Sequence, residues 1–109
     1  LLELVQQRNE INRELNTALS LLGTRGREVA ETKRVYRMRV CQEVLSERAK
    51  GTPSTIMSDI VRGHEEISEL KMKWDIAEAM YKSAQEAINI KKIQLRIVEG
   101  DIEAVRSGK

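Results

Sequence analysis

From Ile67 onward, apolar side chains recur at alternating spacings of three and four residues: Ile67, Leu70, Trp74, Ala77, Tyr81, Ala84, Ile88, Leu95, Val98, Ile102 and Val105. One slot in the series is polar, Lys91. A heptad stripe of this kind keeps one seam of an α-helix turned toward a partner helix, here over about ten turns. It predicts a long helix over about residues 64–106. The first half keeps the same rhythm less cleanly, through Leu1, Leu4, Ile11, Leu15, Ala18, Leu22, Val29 and Tyr36, with Arg8, Arg25 and Thr32 in the weak slots. Gly23 and Gly26 fall inside this segment, and each costs about 1 kcal/mol against Ala in a helix interior. Leu22, Val29 and Tyr36 nevertheless stay seven residues apart across them. A loop has no reason to hold that phase, so one helix over about residues 1–48 is expected. The glycines then mark a thin spot where another helix approaches.

The break that follows is clear. Gly51-Thr52-Pro53 places a helix-ending Gly, a capping Thr and a first-turn Pro in the order that stops one helix and starts another. A turn over 49–53 and a short helix over about 53–62 follow, with Ile56, Ile60 and Val61 as its apolar face and Thr52 as its N-cap. Gly63 separates this short helix from the long one. So short a connection makes the two long helices antiparallel neighbours. The expected fold is all-α: a single domain over residues 1–109, built as a long antiparallel, coiled-coil-like helical hairpin.

The second long helix carries more apolar surface than one seam needs. Ile76, Met80, Ala87, Ile90, Ile93 and Ile97 lie on faces adjoining the main stripe. A helix in an isolated hairpin needs one apolar stripe, and two helices alone bury little surface. A second copy is the economical cover, giving a C2 dimer that forms a four-helix bundle. Ile76, Met80, Ala87, Ile90 and Ile97 are the expected oligomer-interface residues, together with Lys91. A lysine in a seam specifies register or oligomer number, or reaches out to water.

Charge adds a register. Residues 25–39 hold Arg25, Arg27, Lys33, Arg34, Arg37 and Arg39 against Glu28 and Glu31, a balance of +4. Residues 59–78 hold Asp59, Glu65, Glu66, Glu69, Asp75 and Glu78 against Arg62, Lys71 and Lys73, a balance of −3. The hairpin sets these stretches opposite each other, which favours the antiparallel orientation more than it adds stability. The same basic stretch, through Arg25, Arg27, Lys33, Arg34 and Arg37, is the candidate nucleic-acid contact. Only Tyr36 interleaves with it, too little aromatic surface for a base-stacking strip. Across the chain, 19 basic and 17 acidic residues give a net charge of +2, too small to argue for nucleic acid by bulk charge.

Candidate chemistry is sparse. Gly23-Thr24-Arg25-Gly26 matches the Gly-x-x-Gly of KH-type RNA binders, but no flanking strand is predicted. His64 is the single histidine and reads as a helix-start residue, since a metal site needs several convergent ligands. The single cysteine, Cys41, excludes an intramolecular disulfide and reads as a buried structural thiol in a reducing compartment. Trp74 and Tyr81 read as core with their polar tips at the margin. No cofactor is implied, and the absence of a nucleophile–base–acid set points away from an enzyme. No apolar run approaches the roughly 20 residues that span a bilayer, so a membrane is not an expected partner. The chain starts at Leu1 without Met, which suggests trimming of the native start.

The segment Lys50-Gly51-Thr52-Pro53-Ser54-Thr55-Ile56, then Gly63 with acidic residues, then Trp74-Asp75-Ile76-Ala77-Glu78-Ala79-Met80-Tyr81 and its continuation to Asn89, resembles small helical proteins of Gram-positive bacteriophages and prophages. The resemblance covers about residues 20–105 and rests on general pattern, so it carries no site residues. It implies a phage origin, action in the host bacterial cytoplasm, and genes encoded near replication and recombination functions. The function expected is a non-enzymatic, self-associating scaffold or adaptor, with itself and another phage or host protein as partners. The alternative is an accessory nucleic-acid-binding protein in phage DNA replication or recombination.

Overall fold

A computed structural model describes residues Leu1–Gly108 as three helices: α1 (Leu2–Ala49), α2 (Ser54–Gly63) and α3 (Glu65–Arg106). Among the described residues there is no strand. Gly23 and Gly26 lie within α1. Glu65 and Glu66 in the first turn of α3, and Arg48 and Arg106 in the last turns of α1 and α3, place each charge against the opposite pole of the helix dipole.

α1 ends in a Schellman motif. Gly51 takes φ +81° and donates its N–H to the Arg48 carbonyl at 3.0 Å, and the Thr52 N–H reaches the Glu47 carbonyl at 3.1 Å. The Thr52 hydroxyl also donates to the Glu47 carboxylate at 2.6 Å. Thr52 therefore closes α1 and does not cap α2, contrary to the sequence reading. Pro53 holds the N-cap position of α2 with an extended backbone and no side-chain cap bond. At the other end of α2, extended His64 donates its N–H to the Val61 carbonyl and offers its own carbonyl to Ser68, so one residue ends α2 and opens α3.

Tertiary contacts fall into two compact units. One comprises Leu1–Thr24 with Tyr81–Lys109, the other Arg25–Met80. In the first, Ile11, Val98 and Ile102 form a buried cluster against which Leu4, Val5 and Leu95 pack. Lys91 ion-pairs with Glu14 in the same unit. Partners rise along α1 as they fall along α3, so the helices run antiparallel. The seam stops at Ile102: Val105, next in the stripe, is exposed, as is Leu1.

In the second unit Tyr36 meets Trp74 with ring centroids 5.4 Å apart. Arg39 reaches Glu66 at 3.3 Å, and these pairings are again antiparallel. Ile67, 1% exposed, is the most deeply buried side chain, and Ala77 is buried further along the same stripe. α2 contributes Val61, buried, and Met57, half-buried. Ile56 and Ile60, expected on its apolar face, are exposed. The inward pair is thus Met57 and Val61, four residues apart on one helix face.

Candidate interaction surfaces

In the first unit, the inward seam of α3 is Ala84, Ile88, Lys91, Leu95, Val98 and Ile102. A rotation of about 100° per residue carries Ile90, Ile93 and Ile97 away from that seam. All three are more than half exposed, at 53%, 53% and 59%, and Ala87 is exposed as well. Lys91 does not share this face. It sits in the seam, where its ammonium meets the Glu14 carboxylate. A lysine expected at a subunit interface therefore has a partner on its own chain's α1.

In the second unit, Met72, Ile76 and Met80 form the exposed apolar face of α3. Val35, Met38 and Leu45 of α1 are exposed too. The basic stretch is largely engaged within α1. Arg25 pairs with Glu28 at 3.1 Å and Arg34 with Glu31 at 2.7 Å, each three residues away. The Arg34–Glu31 hydrogen bond holds the Glu31 carboxyl below its ordinary value. Lys33 lies 5.7 Å from the centre of the Trp74 ring, which Lys71 approaches at 4.2 Å. Arg37 is exposed, and Arg27 interacts with other groups of the protein. The facing acidic helix is met by Arg39, through Glu66.

Arg39 belongs to a charged cluster beneath the turn that the sequence reading did not single out. It binds Glu43 at 2.9 Å as well as Glu66, and His64 Nε2 lies 4.0 Å from Glu43. Glu43 and Glu47 are both buried. The signal was available: continuing the three-four rhythm past Tyr36 lands on Arg39 and Glu43, and Glu47 lies four residues beyond Glu43 on the same helix face. The seam changes there from apolar to ionic, which the search for apolar residues passed over. Glu47 is held below its ordinary carboxylate value, first by the Thr52 hydroxyl bond and then opposed by burial and aided by Lys50.

Two further expectations are corrected. Cys41 is exposed rather than buried, because its place on α1 falls outside the inward slots of Arg39, Val40, Glu43 and Val44. Trp74, expected in the core with its polar tip at the margin, is half-buried, and its indole N–H is enclosed without a hydrogen-bond partner. An open cleft of about 500 Å³ is lined by Tyr36, Arg62, Ile67, Ser68, Lys71, Met72 and Asp75, and its Lys71 and Asp75 are paired with each other at 2.7 Å. Among the described residues no group of His, Cys, Asp and Glu is arranged to hold a metal ion, and no helix is long and apolar enough to cross a membrane. No protein family, curated protein or solved structure matches the chain.

Proposed function

We propose that this protein is a non-enzymatic helical scaffold or adaptor that works by self-association through the outer apolar face of α3. The observation that carries the reading is the balance of apolar surface. Among the described residues sixteen large hydrophobic side chains are exposed, whereas eight hydrophobic residues are buried. The chain exposes 7814 Å², about 1,600 Å² more than the roughly 6,200 Å² expected of a compact monomer of 12.5 kDa. An obligate dimer interface covers about 1,000–2,500 Å² on each partner. A second copy forming a four-helix bundle accounts for that surface, with Ile76, Met80, Ala87, Ile90 and Ile97 as its contacts. The resemblance to phage proteins supports a setting in the bacterial cytoplasm, with another phage or host protein held by the assembled bundle.

The nucleic-acid reading has weaker support, because Arg25 and Arg34 already hold carboxylates of their own helix. The two readings separate on one variant. Arg34→Glu with Arg37→Glu sets a carboxylate beside Glu31 and should lower the melting temperature modestly, with the loss shrinking as salt rises. Self-association should persist. DNA affinity in the wild type that falls steeply with salt, and disappears in this variant, would favour nucleic-acid binding. In the scaffold reading the melting temperature of the wild type rises with protein concentration, and a concentration-independent melt would count against it.

A further inference from the structure

The exposed face of α3 in the first unit has an internal order. Ile90, Ile93, Ile97, Gly100 and Ala104 recur at spacings of three, four, three and four, a second heptad seam on the side of the helix opposite the first. Its large residues precede its small ones. Ile93 and Ile97 are more than half exposed. Gly100 lies inside the helix with nothing within 4 Å of the position a Cβ would take, and Ala104 is half-buried. A glycine at an exposed mid-helix position weakens the helix and has no turn to make here. What it offers is room for close approach of another helix.

We infer that this face seats the same face of a second copy in antiparallel orientation, on a two-fold axis crossing α3 between the levels of Val98 and Glu99. This deepens the self-association reading, rests on it, and narrows its contacts. α3 ends at Arg106, so in this register the paired helices overlap only from about residue 90 onward, covering Ile90, Ile93 and Ile97 and leaving Ile76, Met80 and Ala87 outside the paired stretch. In that register Ile97 packs over Gly100 of the partner subunit and Ile93 over the partner subunit's Ala104, and the two-fold repeats both contacts. Each large side chain thus meets a small one, the arrangement that fills a helix interface without voids or overlap. A parallel dimer would instead stack isoleucine on isoleucine and leave glycine facing glycine. The flanking charges agree. Arg96 and Glu103 border the seam, both are exposed, and among the described residues neither forms an ion pair. The antiparallel register sets Arg96 beside Glu103 of the partner subunit, twice per dimer. A parallel register would pair Arg96 with the partner subunit's Asp101.

The test measures dimer dissociation constants by sedimentation for the full chain at low salt. Arg96→Glu and Glu103→Arg each replace two attractions with two repulsions and should raise the constant by about tenfold. The double exchange Arg96→Glu with Glu103→Arg should return it to within about threefold of wild type. Gly100→Ala meets no atom of its own chain, so the monomer tolerates it, yet it fills the slot for the partner's Ile97 and should weaken the dimer by about tenfold or more. Circular dichroism on each variant confirms that the helices remain. Rescue by Arg96→Glu with Asp101→Arg, and not by the first exchange, would overturn the antiparallel orientation while keeping self-association. A wild-type dimer that none of these changes weakens would overturn this face as the interface. A monomeric wild type would overturn the reading beneath it.

Discussion

The ion pair between Lys91 and Glu14 allows the energetics of the seam to be worked through. Lys91 stands between Ile88 and Leu95 in an otherwise apolar stripe, and its ammonium meets Glu14 across the first unit. The side chains keep 29% and 41% of their surface exposed, so water screens the pair and it contributes about 0.3–1 kcal/mol, not the larger figure of a dry ion pair. Lys91→Leu forfeits that amount. It replaces a stem already lying along the seam, so newly buried apolar area is small, about 40 Å², worth about 1 kcal/mol. The two effects nearly cancel, and Lys91→Leu should shift the melting temperature by less than about 4 °C. From the sequence alone, with no partner for the ammonium, the same change would be expected to stabilise clearly. A double-mutant cycle with Glu14→Gln and Lys91→Met isolates the pair. Urea unfolding at fixed protein concentration should give a coupling of about 0.5 kcal/mol at low salt, falling in 1 M salt. No coupling at low salt would mean the pair does not form. A coupling above about 2 kcal/mol would mean the seam is far drier than these exposures imply.

Ile67→Ala removes the most deeply buried side chain of the second unit and should destabilise by about 2–5 kcal/mol in denaturant unfolding; a loss below 1 kcal/mol would show that this seam collapses around the cavity. Gly51→Ala meets no neighbouring atom but must hold φ +81°, so the backbone alone sets a cost of about 1 kcal/mol, read from the same assay. Thr52→Val deletes the hydroxyl that does most to hold the Glu47 carboxyl low. A depressed folded-state value contributes stability that is present above the unfolded value and lost as pH falls through the folded one. The variant should therefore lose stability at neutral pH and show a shallower decline through the acid range, in melts taken across pH.

The helices were legible because their evidence is periodic. The three-four stripe named Ile67, Ala77, Ala84, Ile88, Val98 and Ile102, all of which are buried, and Gly51 marked the end of α1 through the one conformation a Schellman turn demands. The details that escaped are those in which a side chain has a choice of partners. Thr52 suits an N-cap by type, where its hydroxyl would accept a backbone N–H, yet that hydroxyl instead donates to the Glu47 carboxylate five residues back. Arg25 and Arg34 suit the facing acidic helix by charge balance, yet carboxylates three residues away on α1 are nearer and hold them with less loss of side-chain freedom. Arg39 and Glu66 do meet across the facing stretches as charge balance suggested, but buried Glu43 and Glu47 were hidden for the opposite reason, since a pattern sought in apolar letters ends where the seam turns ionic. The outer face of α3 was visible in the sequence as surplus isoleucine, but its order of large before small residues acquires meaning only once Gly100 is placed on the same exposed side.

Self-association through that face is tested most directly by sedimentation equilibrium on the wild type beside a variant carrying Ile90→Glu and Ile97→Glu. Both positions are more than half exposed in the single chain, so the substitutions bury no charge unless a second copy covers them. The wild type should sediment at twice the 12.5 kDa chain mass or more across a micromolar series, and the variant as a folded monomer. A wild type that stays at the single-chain mass to high micromolar concentration, with a variant indistinguishable from it, would contradict the account.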